Sequence, residues 1–105
     1  MVAEGCIIDG EIDFSVIFEG VTVEKGAVVT ESIIMPGSVI KEGAVVEYAI
    51  VGENSVIEKG AHIGARPESV DNRDDWGIAV IGHKVTIGEN ESVGPKQMVP
   101  DIKKK

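Results

Sequence analysis

Two histidines and two arginines are the residues of this 105-residue chain that could do chemistry. His62 and His83 could serve as bases or metal ligands, and the guanidinium groups of Arg66 and Arg73 suit phosphate. Two histidines without a third ligand at a recognisable spacing make a poor zinc site, so we predict no metal. No motif for catalysis accompanies them, and we predict no catalytic residue. The four residues are instead candidates for binding a phosphorylated effector.

The polar segment that contains the arginines also contains four carboxylates, which would pair with them: Glu68, Asp71, Asp74 and Asp75. A loop that neutralises its own charges is therefore the alternative to an effector site. The glycines do not help to decide, because they recur through the chain and none opens a helix as phosphate-binding glycines do.

The elements that would position these residues come from a repeat of 17 residues. From residue 15 to 65 the chain reads SVIFEGVTVEKGAVVTE, SIIMPGSVIKEGAVVEY and AIVGENSVIEKGAHIGA. Aliphatic anchors follow one another by six, six and five residues, a spacing too short for helices and suited to one short strand per corner. Three strands and three corners close one coil, and the next coil stacks on it at about 4.8 Å. The repeat predicts a parallel β-solenoid of 17–18 residues per coil.

The anchors are predicted to point into the solenoid and to form its core. They are Ile17, Val23, Val29, Ile34, Ile40, Val46, Val51, Ile57, Ile63, Ile81, Ile87 and Val93. In the regular coils, a small or short residue stands two places before each anchor, where the corner leaves little room. Glycines recur at the corners, and Asn54 takes the place of one of them, since Gly and Asn best tolerate positive φ.

The pattern predicts one domain, residues 1–105. Its parts are an irregular first coil (1–14), regular coils (15–64), a protruding loop (65–77), a closing coil (78–99) and a tail (100–105). In the first coil we expect Ile8 to be in step with the repeat and Ile12 to be out of step. The column that Ile81 joins stays open, because the loop could replace two hexads or interrupt one.

Charge and composition restrict the partners. The net charge of −8 excludes binding to nucleic acid, which needs clustered Lys and Arg. No apolar run is long enough to span a membrane. The single cysteine, Cys6, is expected to pack in the core, and one cysteine fits a reducing cytoplasm. Val28 and Val45 share an outward column, and we predict an interface there.

The run from GCIIDG to EKGAHIG resembles the C-terminal left-handed β-helix domain of bacterial glucose-1-phosphate adenylyltransferase, also called ADP-glucose pyrophosphorylase. The phrases SVIFEGVTVEKGAVV, SIIMPGSVIKEGA and AIVGENSVIEKGA carry the resemblance, with the polar loop and the GIAVIG restart that follows it. It covers essentially the whole chain and implies an all-β, single-stranded left-handed parallel β-helix.

The resemblance implies a part of an enzyme. In the family, an N-terminal domain makes ADP-glucose and pyrophosphate from ATP and glucose 1-phosphate, with Mg²⁺, for glycogen synthesis. The glycine-rich GGxGTRL signature of that domain has no match here, so the chain itself is expected to be inert and to need no cofactor. The implied role is oligomerisation and allosteric regulation. The implied partners are its own N-terminal catalytic domain, sister subunits and a sugar-phosphate effector, in the cytoplasm.

Two other readings stay open. A trimeric hexapeptide-repeat acyltransferase would bind acyl-CoA between prisms and would use His62 or His83 as its base. A structural scaffold would bind proteins through a flat apolar face that includes Val28 and Val45, without responding to small ligands.

Overall fold

The computed structural model describes residues 4–65 and 77–100, and all regular secondary structure in them is β-strand. The strands are only two or three residues long, as hexads with one corner each require. In chain order they are β1 (Ile7–Ile8), β2 (Glu11–Asp13), β3 (Val16–Ile17), β4 (Thr22–Val23), β5 (Val28–Thr30), β6 (Ile33–Ile34), β7 (Val39–Ile40), β8 (Val45–Glu47), β9 (Ala49–Val51), β10 (Val56–Ile57), β11 (His62–Ile63), β12 (Ala79–Ile81), β13 (Thr86–Ile87), β14 (Ser92–Val93) and β15 (Met98–Val99).

Each strand pairs in parallel with the strand three places later in the chain, and this pairing produces three five-stranded sheets. We name them face A (β3, β6, β9, β12, β15), face B (β1, β4, β7, β10, β13) and face C (β2, β5, β8, β11, β14). One strand from each face makes a coil, and five coils stack along the axis. The prediction of an all-β parallel solenoid is confirmed.

The coils stack in the register of the 17-residue repeat. Ile17 pairs with Ile34 and Ile34 with Val51, so identical positions lie above one another. The twelve anchors are at most 7% exposed, and most are fully buried. Burying one such aliphatic side chain contributes about 1.5–3 kcal/mol, so the stacked interior is the main source of stability.

The polar segment that the sequence predicts to be a protruding loop lies, for residues 66–76, outside the described residues, and the coil on either side of it keeps a strand on each of the three faces. Ile81 pairs with Val51, 30 residues earlier, whereas earlier coils advance by 17, so 13 additional residues enter between face C and face A. They enter at the five-residue junction after Ile63, beside Gly64, whose φ is 81°. The column of Ile81, which the sequence left open, is therefore that of Ile17, Ile34 and Val51.

The first coil corrects one expectation. Ile12 pairs with Val29 and is in step with the interior, although it follows Ile8 by four residues instead of six. The shortcut is made at Gly10, where a Cβ would lie 2.5 Å from the carbonyl oxygen of Ala27. Only glycine allows the backbone to pass this close to the coil below. The prediction that Ile12 is out of step is wrong, because the corner shortens and the strand keeps its register.

Candidate functional site

The outward positions of the three faces differ more than the inward ones. On face A each strand has one outward residue, and this residue is apolar in all five coils: Val16, Ile33, Ile50, Val80 and Met98. On face B this column is interrupted by Thr22 and Thr86, and on face C it begins with Glu11 and ends with Ser92. Face A is thus the surface of the solenoid with an unbroken apolar ladder.

Exposed large side chains gather at the same face. Ile33 and Met98, on the ladder, are 37% and 71% exposed. Phe14 and Ile78 occupy the corner that leads into face A and are 81% and 49% exposed. Of the exposed large hydrophobic side chains in the described part of the chain, Ile7 alone lies on another face. An exposed apolar surface of this kind is typical of a contact site.

A groove of about 420 Å³ runs along the exit corner of face A, where the chain turns towards face B. The upper coils carry Phe18 and Met35 at this corner, whereas the next two coils carry Gly52 and Gly82 in the same column. The groove is the space that the two missing side chains leave between Met35 above and Pro100 below. A Cβ on Gly52 would lie 2.6 Å from the carbonyl carbon of Gly82, so the backbone stacking itself requires glycine.

Buried serines hold the floor of the groove. The Ser38 hydroxyl donates to the Gly52 carbonyl at 2.6 Å, and the Ser55 hydroxyl donates to the Gly82 carbonyl at 2.6 Å. Each hydroxyl oxygen also accepts a backbone N–H from the next coil, that of Ser55 at 3.2 Å and that of Val85 at 3.1 Å. These bonds satisfy corner groups that no strand pairs, and they fix the glycine backbone in place.

His83 forms the polar edge of the groove. Its Nδ1 accepts a hydrogen bond from the backbone N–H of Glu53 at 2.8 Å, so this nitrogen carries no proton in the structure. The bond ties the fourth coil to the third beside Gly52 and Gly82. The backbone of Glu53 thus holds the ring at the corner between faces A and B.

His62 lies on face C, as an outward residue of β11. Its Nε2 is 2.6 Å from Oε2 of Glu47, and the two side chains are 48% and 14% exposed. Face C lies opposite the corner between faces A and B, so His62 and His83 do not share a surface. The two histidines that the sequence proposes for one effector site therefore lie on different sides of the solenoid. Val28 and Val45, the predicted interface, are half-buried neighbours in the column of His62.

The remaining candidate residues are Arg66, Arg73 and Cys6. Arg66 and Arg73 lie outside the described residues. Cys6 is half-buried and its Sγ donates to the Phe18 carbonyl at 3.0 Å, which fits a packing role. Within residues 4–65 and 77–100, no three His, Cys, Asp or Glu side chains are grouped to hold a metal ion. The same residues form no helix that could cross a membrane.

Face A is not among the surfaces that the sequence predicted. The signal was present in part, since the 17-residue alignment places Val16, Ile33 and Ile50 in one outward column. The extension of that column to Val80 and Met98 depends on the register of Ile81, which the sequence left open. The groove could not be predicted from the sequence, because the two glycines that form it lie in coils that the inserted residues separate.

Comparison with known proteins adds a family and a local match. The family model described as "GlmU-like, C-terminal hexapeptide" matches residues 1–76. Glucose-1-phosphate adenylyltransferases of Bacillus thuringiensis (strain Al Hakam), Bacillus mycoides (strain KBAB4) and Bacillus anthracis are each 50% identical to the chain over 32 residues. The match covers 30% of the chain and 8% of the length of each relative. No solved structure matches the chain significantly.

Proposed function

The chain belongs to the GlmU-like C-terminal hexapeptide family, and we propose that it is the non-catalytic oligomerisation and regulatory domain of a glucose-1-phosphate adenylyltransferase. The local identity to the Bacillus enzymes supports this assignment. The parent protein would make ADP-glucose from ATP and glucose 1-phosphate in the cytoplasm, with Mg²⁺ bound in a separate catalytic domain. The chain would contribute contacts with that domain and with sister subunits.

The observation that carries the proposal is the chemistry of the groove on face A. Its lining is apolar apart from His83, and that ring is held by a backbone N–H. Nucleotide transfer needs groups that position phosphates and neutralise their charge. An apolar ladder beside an apolar groove suits contact with another protein surface. A supporting domain fits this surface better than a catalytic one.

Regulation by a sugar phosphate is the second part of the proposal. Because His62 and His83 lie on opposite sides of the solenoid, an effector would use one of them and not both. Arg66 and Arg73 follow His62 along the chain, and we propose them as its partners. A thermal shift of the chain with a sugar bisphosphate should be reduced by Arg66→Ala and Arg73→Ala and unchanged by His83→Ala. Equal shifts in all variants would contradict this assignment.

The size and activity of the native protein test the first part. An antibody raised against this chain should detect a protein several times heavier than 11.1 kDa in source cells. That protein, immunopurified, should release pyrophosphate from ATP only when glucose 1-phosphate is present. A band at the size of this chain, together with no such activity in the precipitate, would contradict the proposal.

The contact between His62 and Glu47 favours one second candidate, an acyltransferase. A carboxylate 2.6 Å from an imidazole fixes the orientation of the ring, as a general base requires. We would then expect the chain to transfer an acetyl group from acetyl-CoA to an amine, and His62→Ala to abolish the transfer. His83→Ala is the matched control. Equal activity of both variants would exclude this candidate.

A further inference from the structure

We propose that the first two coils of face C bind a short aliphatic diamine, or the equivalent part of a longer polyamine, between Glu11 and Asp13. The site lies on β2 and β5, away from the apolar ladder of face A. Neither the proposed function nor the second candidate function uses these residues. A cavity, a buried hydroxyl group without a partner and two carboxylates at a fixed spacing support the assignment.

A cavity of about 400 Å³ lies on face C where the first coil meets the second. Residues of β2 and β5 line it: Glu11, Ile12, Asp13, Val28 and Thr30. The register of the two strands places Glu11 over Val28, and Asp13 lies over Thr30 in the same way. Small-molecule sites have volumes of roughly 300–1,000 Å³, so the cavity is large enough for an organic ligand.

The hydroxyl group of Thr30 indicates that the cavity takes a ligand. Thr30 is only 8% exposed, yet its hydroxyl group forms no hydrogen bond with a described residue. In the described part of the chain, no fully enclosed side-chain oxygen or nitrogen lacks a partner, so the Thr30 oxygen must open onto the cavity that its residue lines. The buried hydroxyl groups of Ser38 and Ser55, by contrast, bind backbone groups. A nearly buried hydroxyl group without a partner costs free energy, which a bound hydrogen-bond donor recovers.

The two carboxylates determine the charge of the ligand. The chain has no lysine, arginine or histidine before Lys25, and neither Glu11 nor Asp13 forms an ion pair with a described residue. Two like charges on one side of a strand repel each other, and a bound cation removes that repulsion. The net charge of −8 attracts cations to the whole surface. The ligand is therefore positively charged.

The spacing of the carboxylates determines the length of the ligand. Glu11 and Asp13 are outward residues two places apart on β2, so their Cα atoms are about 6.6 Å apart. A chain of four methylene groups separates two ammonium nitrogens by about 6 Å. Each ammonium group can then face one carboxylate, and the one at Asp13 also donates to the Thr30 hydroxyl. The methylene groups lie against Val28, the aliphatic residue of the cavity on β5.

A divalent metal ion fits the cavity less well than an organic cation does. Mg²⁺ and Ca²⁺ take roughly six to eight oxygen ligands, whereas the side chains here offer two carboxylates and one hydroxyl group. Ile12 and Val28 add aliphatic carbon to the lining, which a metal ion cannot use. The alkyl part of a diamine can pack against that carbon, so the diamine is favoured.

NMR titration of the 105-residue chain with 1,4-diaminobutane tests the site. In a buffer of about 20 mM salt, the backbone amide signals of Glu11, Asp13 and Thr30 should shift, with a dissociation constant on the order of 0.1–1 mM. The monoamine 1-aminobutane should bind at least about fivefold more weakly, because it has one ammonium group. Raising the salt to about 0.3 M should weaken the diamine at least about threefold, since its contacts are charged and partly exposed.

Single substitutions identify the contacts. Asp13→Asn and Glu11→Gln should each weaken binding of 1,4-diaminobutane about five- to tenfold. Glu89→Gln, which removes an exposed carboxylate of the fifth coil, is the matched control and should leave the affinity unchanged. Thr30→Val keeps the shape of the side chain and should weaken binding about two- to fivefold. It should not lower Tm, because the hydroxyl group has no partner in the fold to lose.

Several results would overturn the inference. No shift of the cavity signals with 1,4-diaminobutane up to about 10 mM would mean that no such site exists. Equal weakening by Glu89→Gln and Asp13→Asn would show general attraction to the net charge, and equal affinity for 1-aminobutane would exclude a role for the spacing. Tighter binding of MgCl₂ than of the diamine at the same signals would make the cavity a metal site. A lower Tm of Thr30→Val with unchanged binding would make the hydroxyl group structural.

Discussion

Faces A and C are built on the same interior and differ on the outside. Their inward columns are aliphatic in both cases, and in the three central coils those residues are fully buried. Outside, face A carries an apolar ladder and a groove, whereas face C carries Glu11, Ser92 and the His62–Glu47 pair. Stacking of the coils requires aliphatic residues in the inward columns but places no such requirement on the outward columns. The outward residues of a face can therefore be suited to what that face contacts without affecting how the chain folds.

The largest predicted effect separates the inside of face A from its outside. Ile34→Asp puts a carboxylate between Ile17 and Val51, in a fully buried column. Such burial costs about 5 kcal/mol or more, comparable with the whole stability of a small domain, so the chain should be unfolded by circular dichroism. Ile33→Asp, one residue earlier and outward, should leave the chain folded. If both variants fold equally well, the inward and outward assignment is inverted.

The next effect concerns the floor of the groove. Ser55→Ala removes the hydroxyl that donates to Gly82 and accepts from Val85, leaving two corner groups without a partner. We expect a loss of about 1–3 kcal/mol in the free energy of unfolding, measured by urea denaturation. Ser92→Ala on exposed face C is the matched control and should change it by less than about 0.5 kcal/mol. Equal effects would mean that the serine does not hold the groove.

A smaller effect, of opposite sign, is expected at the corner beside the groove. Lys84 has a φ of 58°, a left-handed conformation that strains a side chain and suits glycine. Lys84→Gly should therefore stabilise the chain by about 0.5–1 kcal/mol and raise Tm by a few degrees in calorimetry. Lys25→Gly, at an exposed corner residue without positive φ, should lower Tm. An unchanged or lower Tm for Lys84→Gly would show that its side chain contributes more than the strain costs.

The smallest effect is predicted on face C. His62→Gln removes the pair with Glu47, and exposed pairs contribute little because water solvates both partners. Stability should fall by about 0.5 kcal/mol or less in urea denaturation, and the sedimentation behaviour should match that of the unchanged chain. A large fall in stability would show that the pair holds face C together and would remove the contrast with face A.

Much of the fold could be predicted because the repeat is local and regular. An anchor every five or six residues is enough to define strands, corners and the inward columns, and all twelve named anchors are buried in the structure. The candidate site could be predicted only in part. His62 lies outward on a face and His83 at a corner, as the pattern indicates, but the pattern could not show that they lie on opposite sides.

The sequence by itself determined the coil. The chain has few aromatic residues, so its β-branched anchors must form the core, and their spacing allows them to be buried together only in a coil of short strands. The repeats also identify the chain as a hexapeptide-repeat protein. Tertiary structure alone decided that Ile81 stacks on Val51, that Gly10 shortens the first coil, and that Gly52 and Gly82 open a groove. The physical reason is that stacking joins residues a whole coil apart, and an inserted loop or a shortened corner changes that distance without changing the local pattern.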